Sequence, residues 1–194
     1  MMNRETWLNL MVEALRGDFE AVGYEIPEGV KVSCGWSSRG AKGKAGNSVL
    51  GECWSPECSA IGNHEIFMSP IDANPLTVGA TLVHELIHAV IGIDEKHGKV
   101  FAKAAKALGL VGKMKSTTAG ADLQGRLADL VEGVGPYPHA ELKAMTNGKK
   151  KQATRMIKVV CPSCGYTCRI AQAWIDNGLP SCPEGDVMEI AQAV

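Results

Sequence analysis

The 194-residue sequence lacks an apolar run long enough to cross a bilayer. Its most apolar stretch, Leu82 to Ile93, is interrupted by His84, Glu85 and His88. The charged, then apolar, then small-residue pattern of a secretory leader is also missing, because Glu5, Glu13, Asp18 and Glu20 are scattered through the first helix-like segment. Both absences lead to the expectation of a cytoplasmic protein with no membrane partner. An even cysteine count is lacking too. The chain has 7 cysteines, and Cys161, Cys164, Cys168 and Cys182 crowd its last part. Thiols grouped this way, without a leader, favour metal over disulfides. Finally, Asp and Glu are absent from windows 31–51, 96–121 and 142–175, which hold 17 of the 20 Lys and Arg. Window 52–95 is the converse, with seven acids and no Lys or Arg. A net charge of −1 therefore hides blocks of one sign. These are either solvated surfaces or a basic track for phosphates.

What is present is an ordinary core: 45% of the residues are hydrophobic, enough for one medium domain and a small appendage. Leu8, Val12, Leu15, Phe19 and Val22 recur at helical spacing and predict an opening amphipathic helix over 4–22. Val30, Val32, Cys34 and Trp36 alternate with smaller or polar residues, as in a half-buried strand. A Gly- and Lys-rich loop from Ser37 to Asn47 leads to a second strand, Ser48 to Trp54, and His64 to Met68 reads as a third. Thr77 to Ile91 reads as a buried helix, with Pro75 before it and Gly92 at its end. A further helix covers about Gly98 to Leu108. There Val100, Phe101, Ala104, Ala105 and Leu108 are expected to face inward, with Lys99, Lys103 and Lys106 outward. Another begins near Asp122. Residues 144–154 have the composition of a basic linker, and no internal repeat is visible.

His84-Glu85-Leu86-Ile87-His88 has the H-E-x-x-H spacing of a zinc site. One helical turn separates the two histidines, so both imidazoles leave the same face and can share one ion. The glutamate between them can reach a water on that ion without ligating it. Zinc brings the pKa of such a water to about 7, within reach of a carboxylate base. The bland alternative is a pair of core histidines satisfied by hydrogen bonds. A third ligand of the acidic kind on the next helix is not available, since no Asp or Glu lies between Glu95 and Asp122. A metzincin pattern would need Gly at 91 and His at 94, where Ile91 and Asp94 stand. Asp94 could still ligate, but the missing glycine turn counts against it. That leaves His97, nine residues past His88, as the expected third ligand or, in the bland reading, a cap or surface residue.

These residues carry a resemblance. His84-Glu85-Leu86-Ile87-His88-Ala89, followed by His97-Gly98-Lys99-Val100-Phe101, resembles SprT/Spartan-like zinc metalloproteases. Gly51-Glu52-Cys53-Trp54-Ser55-Pro56, Glu65-Ile66-Phe67-Met68-Ser69-Pro70, Leu108-Gly109-Leu110 and Gly135-Pro136-Tyr137-Pro138-His139 look like segments of the compact bacterial and phage members. The resemblance covers most of residues 30 to 190. It implies an α+β, minigluzincin-like zincin core with a small three-stranded sheet packed on the HExxH helix. It also implies that His64 to Met68 is the edge along which a substrate strand lies. The implied activity is hydrolysis of peptide bonds by a zinc-activated water, with Glu85 as general base and His84, His88 and His97 as ligands. The implied substrates include DNA-associated or DNA-crosslinked proteins. Tyr166 and Trp174 either pack in the small core of the last segment or offer base stacking, which would favour single-stranded DNA as partner. For a phage-encoded chain, the compartment would be the host cytoplasm. Tyr137 and His139 are either oxyanion stabilisers or, as is commoner for a Tyr between prolines, packing residues.

Cys161-Pro162-Ser163-Cys164-Gly165 has the form of a zinc knuckle, its glycine permitting the tight turn around sulfur. Cys182-Pro183 lies at a distance suited to the opposite knuckle of a zinc ribbon, a module in which SprT-like proteins often end. The departure is the fourth ligand. Glu184, Gly185 and Asp186 stand where Cys or His is expected. Cys168, Glu184 or Asp186 completes the site, or the ribbon has no metal. Cys168 is preferred because thiolate suits structural zinc better than carboxylate. Cys34, Cys53 and Cys58 are read as packing residues. The expected organisation is thus a metallopeptidase domain over 1–143, a linker over 144–154 and a zinc-ribbon-like module over 155–194. One catalytic and one structural zinc are expected. The rival reading is a DNA-binding or transcription-associated zinc protein that keeps the fold and cleaves nothing.

Overall fold

The computed structural model describes residues 2–38, 49–142 and 156–191. It is a mixed α+β protein with small sheets and five helices among the described residues. The chain divides into two compact units, Met1–Ala144 and Met145–Val194. The expected basic linker and most of the Gly- and Lys-rich loop lie outside the described residues.

The first unit opens with α1 (Arg4–Ala21), capped by Asn3, whose side chain accepts the Thr6 N–H at 2.7 Å. Its predicted stripe is buried, with Trp7, Leu8, Met11, Leu15 and Phe19 fully enclosed. Three short strands follow: β1 (Lys31–Cys34), β2 (Gly51–Trp54) and β3 (Glu65–Met68). The helix α2 (Pro75–Ile91) starts at Asn74, which accepts from the N–H groups of Leu76 and Thr77. Pro75 occupies the first turn, where its missing N–H costs nothing. Gly92 ends the helix at φ 89°, a conformation that disfavours any side chain. Then come α3 (Lys99–Ala107), β4 (Leu110–Lys113), β5 (Ser116–Ala119) and α4 (Ala121–Val134).

In the sheet the order is β1-β3-β2, with β1 parallel and β2 antiparallel to β3. The strand expected to be the free edge, His64 to Met68, is therefore the central one. Ile66 and Met68 are buried, so this strand takes the middle and has both backbone edges paired. Among the described residues the terminal strand that faces α2 is β2. Gly51 makes this contact possible, because a Cβ there would stand 2.6 Å from Glu85 Cγ. On the opposite side of α2, Gly79 plays the same part against α4, where a Cβ would meet Leu127 at 2.9 Å.

α2 is thus surrounded. It packs on β2, β3, β5, α3 and α4, and Leu82, Val83, Leu86 and Ile87 are enclosed. This explains why its apolar residues run all round instead of forming one stripe. In α3 the lysines face outward as expected, but Val100 does too, at 43% exposure. The hairpin β4–β5 has no counterpart in the sequence reading. Its strands are four residues long, mostly exposed and joined without an Asn-Gly or similar turn signal.

The second unit holds β6 (Ile157–Val160), β7 (Thr167–Ile170), the single-turn α5 (Gln172–Ile175) and β8 (Glu189–Ile190). Its sheet runs β7-β6-β8, all antiparallel. Among the described residues the buried cluster consists of Val159, Cys161, Cys182 and Met188. A core this small does not hold a unit of this length without a staple.

Leu86 sits inside α2 between the two histidines and is fully buried. Leu86→Ala is expected to cost about 2–5 kcal/mol, read from the denaturant midpoint of the metal-free chain. A cost below about 1 kcal/mol would mean that α2 is not the centre of this core.

Candidate metal centre

His84 and His88 project from one side of α2, as the spacing requires. His97 reaches the same point from the segment between α2 and α3. There the chain makes a 3-10 turn at Ile93–Glu95 and reverses at Lys96, the one described non-glycine residue with positive φ (48°, with ψ −130°). A lysine held in that sparsely populated region is local strain at the residue that turns His97 inward.

The three Nε2 atoms converge. His97 Nε2 lies 3.1 Å from that of His84 and 3.3 Å from that of His88. Ligand nitrogens about 2.0–2.1 Å from a tetrahedral ion stand roughly 3.3 Å apart, so the donor set fits zinc. Asp94 is exposed and is not part of the group. Burial pushes the His84 imidazole down to about 3 and the His88 imidazole to about 4, with the neighbouring histidines adding to the effect. His97 is lowered as well, by burial and then by the charge of Lys115. All three are therefore neutral near pH 7, the form that binds metal.

Two supports of this trio come from outside the motif. Phe101, fully buried, underlies all three rings, with centroid separations of 4.8 Å to His84, 4.7 Å to His88 and 4.9 Å to His97. Thr117 of β5 places its hydroxyl 2.8 Å from His84 Nδ1. With Nε2 turned to the shared point, Nδ1 carries the proton and donates to Thr117, which fixes tautomer and ring orientation. The sequence carries no signal for Thr117, because the hairpin that presents it was not legible.

Glu85 is 7% exposed and faces β2. Burial raises its carboxyl to about 8; a hydrogen bond from the backbone of Cys53 opposes this, and the charge of Glu52 adds to it. Histidines and carboxyl share one cleft of about 660 Å³, bounded by β2 on one side and by Lys115 and Thr117 of the hairpin on the other. Tyr137 and His139 lie elsewhere. Tyr137 stacks on Trp7 at 4.6 Å, while His139 donates to the Pro70 carbonyl at 2.8 Å and accepts from Arg4. Cys34 and Cys53 pack against the core, and Cys58 is exposed.

In the second unit the thiols of Cys161, Cys164 and Cys182 lie within 4.8 Å of one another, a second group compatible with zinc. The structure does not bring Cys168 to it. Cys168 sits on β7 directly opposite fully buried Val159 and so faces the small core. Glu184 and Asp186 stay outside the group too.

No family model matches the chain, and neither a curated protein nor a solved structure is significantly similar to it.

Two outcomes are expected. Thr117→Val should weaken zinc binding at the histidine site about 10–100-fold, measured by chelator competition, with little change in the fold by circular dichroism. Unaltered affinity would make the Thr117 contact incidental. For the metal-free chain, folded His84 and His88 titrate near 3 and 4, whereas unfolded imidazoles take protons near 6.5. Stability conferred by the neutral histidines is complete above about pH 6.5 and is lost as pH falls toward about 4. Urea midpoints across that range should drop for the wild type and drop less for His88→Gln.

Proposed function

We propose that this chain is a zinc-dependent metalloprotease of SprT-like type, its first unit a minigluzincin-like zincin core and its second a zinc-ribbon-like module. One observation carries the reading: three convergent neutral imidazoles and a buried carboxyl share a cleft whose wall is a terminal strand. The motif resemblance at His84–Ala89 and His97–Phe101 supports it.

His84, His88 and His97 would hold a zinc ion, which when bound would supply Lewis acidity to a carbonyl and to a water. The chain's residues supply the rest. Glu85, one residue from a ligand on the same helix, takes a proton from the attacking water and passes it to the departing amine. Burial raises this carboxyl in the metal-free chain, which favours keeping the proton, once taken, until the amine departs. Thr117 holds His84 in one tautomer, and Phe101 closes the inner side of the site to water. The outer edge of β2 receives an extended peptide by strand addition, with Gly51, Glu52 and Cys53 along the cleft.

The rival, a zinc protein that cleaves nothing, leaves Glu85 without a purpose. A purely structural site needs no buried carboxyl beside its ligands, and burying one disfavours the charged form at neutral pH. As for nucleic acid, Lys99, Lys103 and Lys106 expose three ammonium groups along α3, which supports a phosphate-binding face and hence DNA-associated protein substrates. Lys149, Lys150, Lys151 and Arg155 lie outside the described residues.

The test compares wild type with Glu85→Gln on a DNA-binding protein, with and without single-stranded DNA. Glu85→Gln is expected to keep its zinc while cleavage falls about 10²–10⁴-fold. Undiminished cleavage would remove Glu85 as the base. No cleavage by the zinc-loaded wild type under either condition would favour the rival.

A further inference from the structure

The two turns that bring the second unit's thiols together are built alike and differ by one residue. In the first, Gly165 N–H returns to the Cys161 carbonyl at 3.0 Å, and Cys161 N–H donates to the Tyr166 carbonyl at 2.8 Å. In the second, Gly185 N–H returns to the Cys182 carbonyl at 2.9 Å, and Cys182 N–H donates to the Asp186 carbonyl at 2.8 Å. Both turns begin Cys-Pro, and both use a glycine at positive φ, 75° and 98°. Pro162, Ser163 and Cys164 lie between cysteine and glycine in the first turn, but only Pro183 and Glu184 in the second. The residue missing from the second turn is the one that, in the first, carries the additional thiol.

No other residue of the unit replaces it. The five histidines of the chain, at 64, 84, 88, 97 and 139, all belong to the first unit. Cys168 packs against the same small cluster as Cys161 and Cys182 but its thiol is not in the close group, and among the described residues no carboxylate joins that group. Positions 145–155 and 192–194 contain no Cys, His, Asp or Glu. Cys161 and Cys182 are buried whereas Cys164 is exposed, so the group lies at the surface of the unit and is not sealed within it.

We propose that Cys161, Cys164 and Cys182 form an open three-thiolate site. It takes a thiophilic divalent ion such as zinc, with the fourth position filled by an exchangeable donor from outside the chain: water, or an imidazole- or thiol-bearing small molecule. Structural zinc sites are closed by four protein ligands, while a site with three keeps a position for exchange. The ion still staples the small core through its three thiolates, and in addition it can accept a ligand.

Cobalt(II) titration of the full-length chain tests this, because thiolate-to-cobalt charge transfer reports the cysteine site separately from the histidine site. Three spectra are compared: wild type, Cys168→Ser, and a variant with a cysteine inserted between Glu184 and Gly185. The wild type is expected to show three-thiolate intensity that Cys168→Ser leaves unchanged, and added imidazole should shift its thiolate charge-transfer bands. The insertion should raise the charge-transfer intensity by roughly one third, as a fourth thiolate enters, and abolish the imidazole response. Four-thiolate intensity in the wild type, loss of intensity in Cys168→Ser, a wild-type spectrum indifferent to imidazole, or no thiolate charge transfer would each overturn the proposal. If the insertion variant does not fold, the first two spectra and the imidazole titration still decide.

Discussion

Everything in the first unit depends on how α2 is enclosed. A helix buried on nearly all sides must still turn two imidazoles and a carboxyl toward an open cleft, and only its immediate neighbours decide where the opening falls. Gly51 lets the β2 backbone come against Glu85, while Gly79 lets α4 press on the far side. The remaining sector of the helix is left to His84 and His88, with Phe101 beneath them. A side chain at position 51 would displace the carboxyl before it disturbed the metal ligands.

The electrostatics follow from that packing. Low polarity around α2 keeps the histidines uncharged and raises the carboxyl, so the same burial that stabilises the helix also sets the protonation of its polar residues. Stability and chemistry are opposed here. Each buried titratable group costs the metal-free fold something, and an ion coordinated by the three imidazoles offsets it by adding binding energy to folding.

The second unit solves a different problem with similar means. Its four-residue core is too small to order three short strands, and the cysteines sit where two turns meet. A metal held there would serve cohesion first. The second turn is one residue shorter than the first and brings one thiol where the first brings two, so only three thiols would share that task.

The histidine pair, the carboxyl between them and the third histidine of the candidate site were legible in the sequence because they are local. Helical spacing places His84, Glu85 and His88 by itself, and His97 follows from a missing acid on the next helix. The helices α1 to α4 were legible from their periodicity, capping residues and flanking Pro or Gly. Strand order was not. Which of three short strands lies in the middle depends on pairing between residues far apart, so β3 took the centre and β2 the edge without any local signal. Thr117 was hidden for the same reason, being delivered by a hairpin whose exposed four-residue strands leave no pattern. Cys168 shows the limit most clearly. Composition made it the natural fourth thiolate, but its place on β7, opposite Val159, leaves its thiol out of the close group, and such placement is assigned by a strand's register with its neighbours. Residue chemistry and short-range spacing are properties of the chain; edge, face and convergence arise only when distant segments pack.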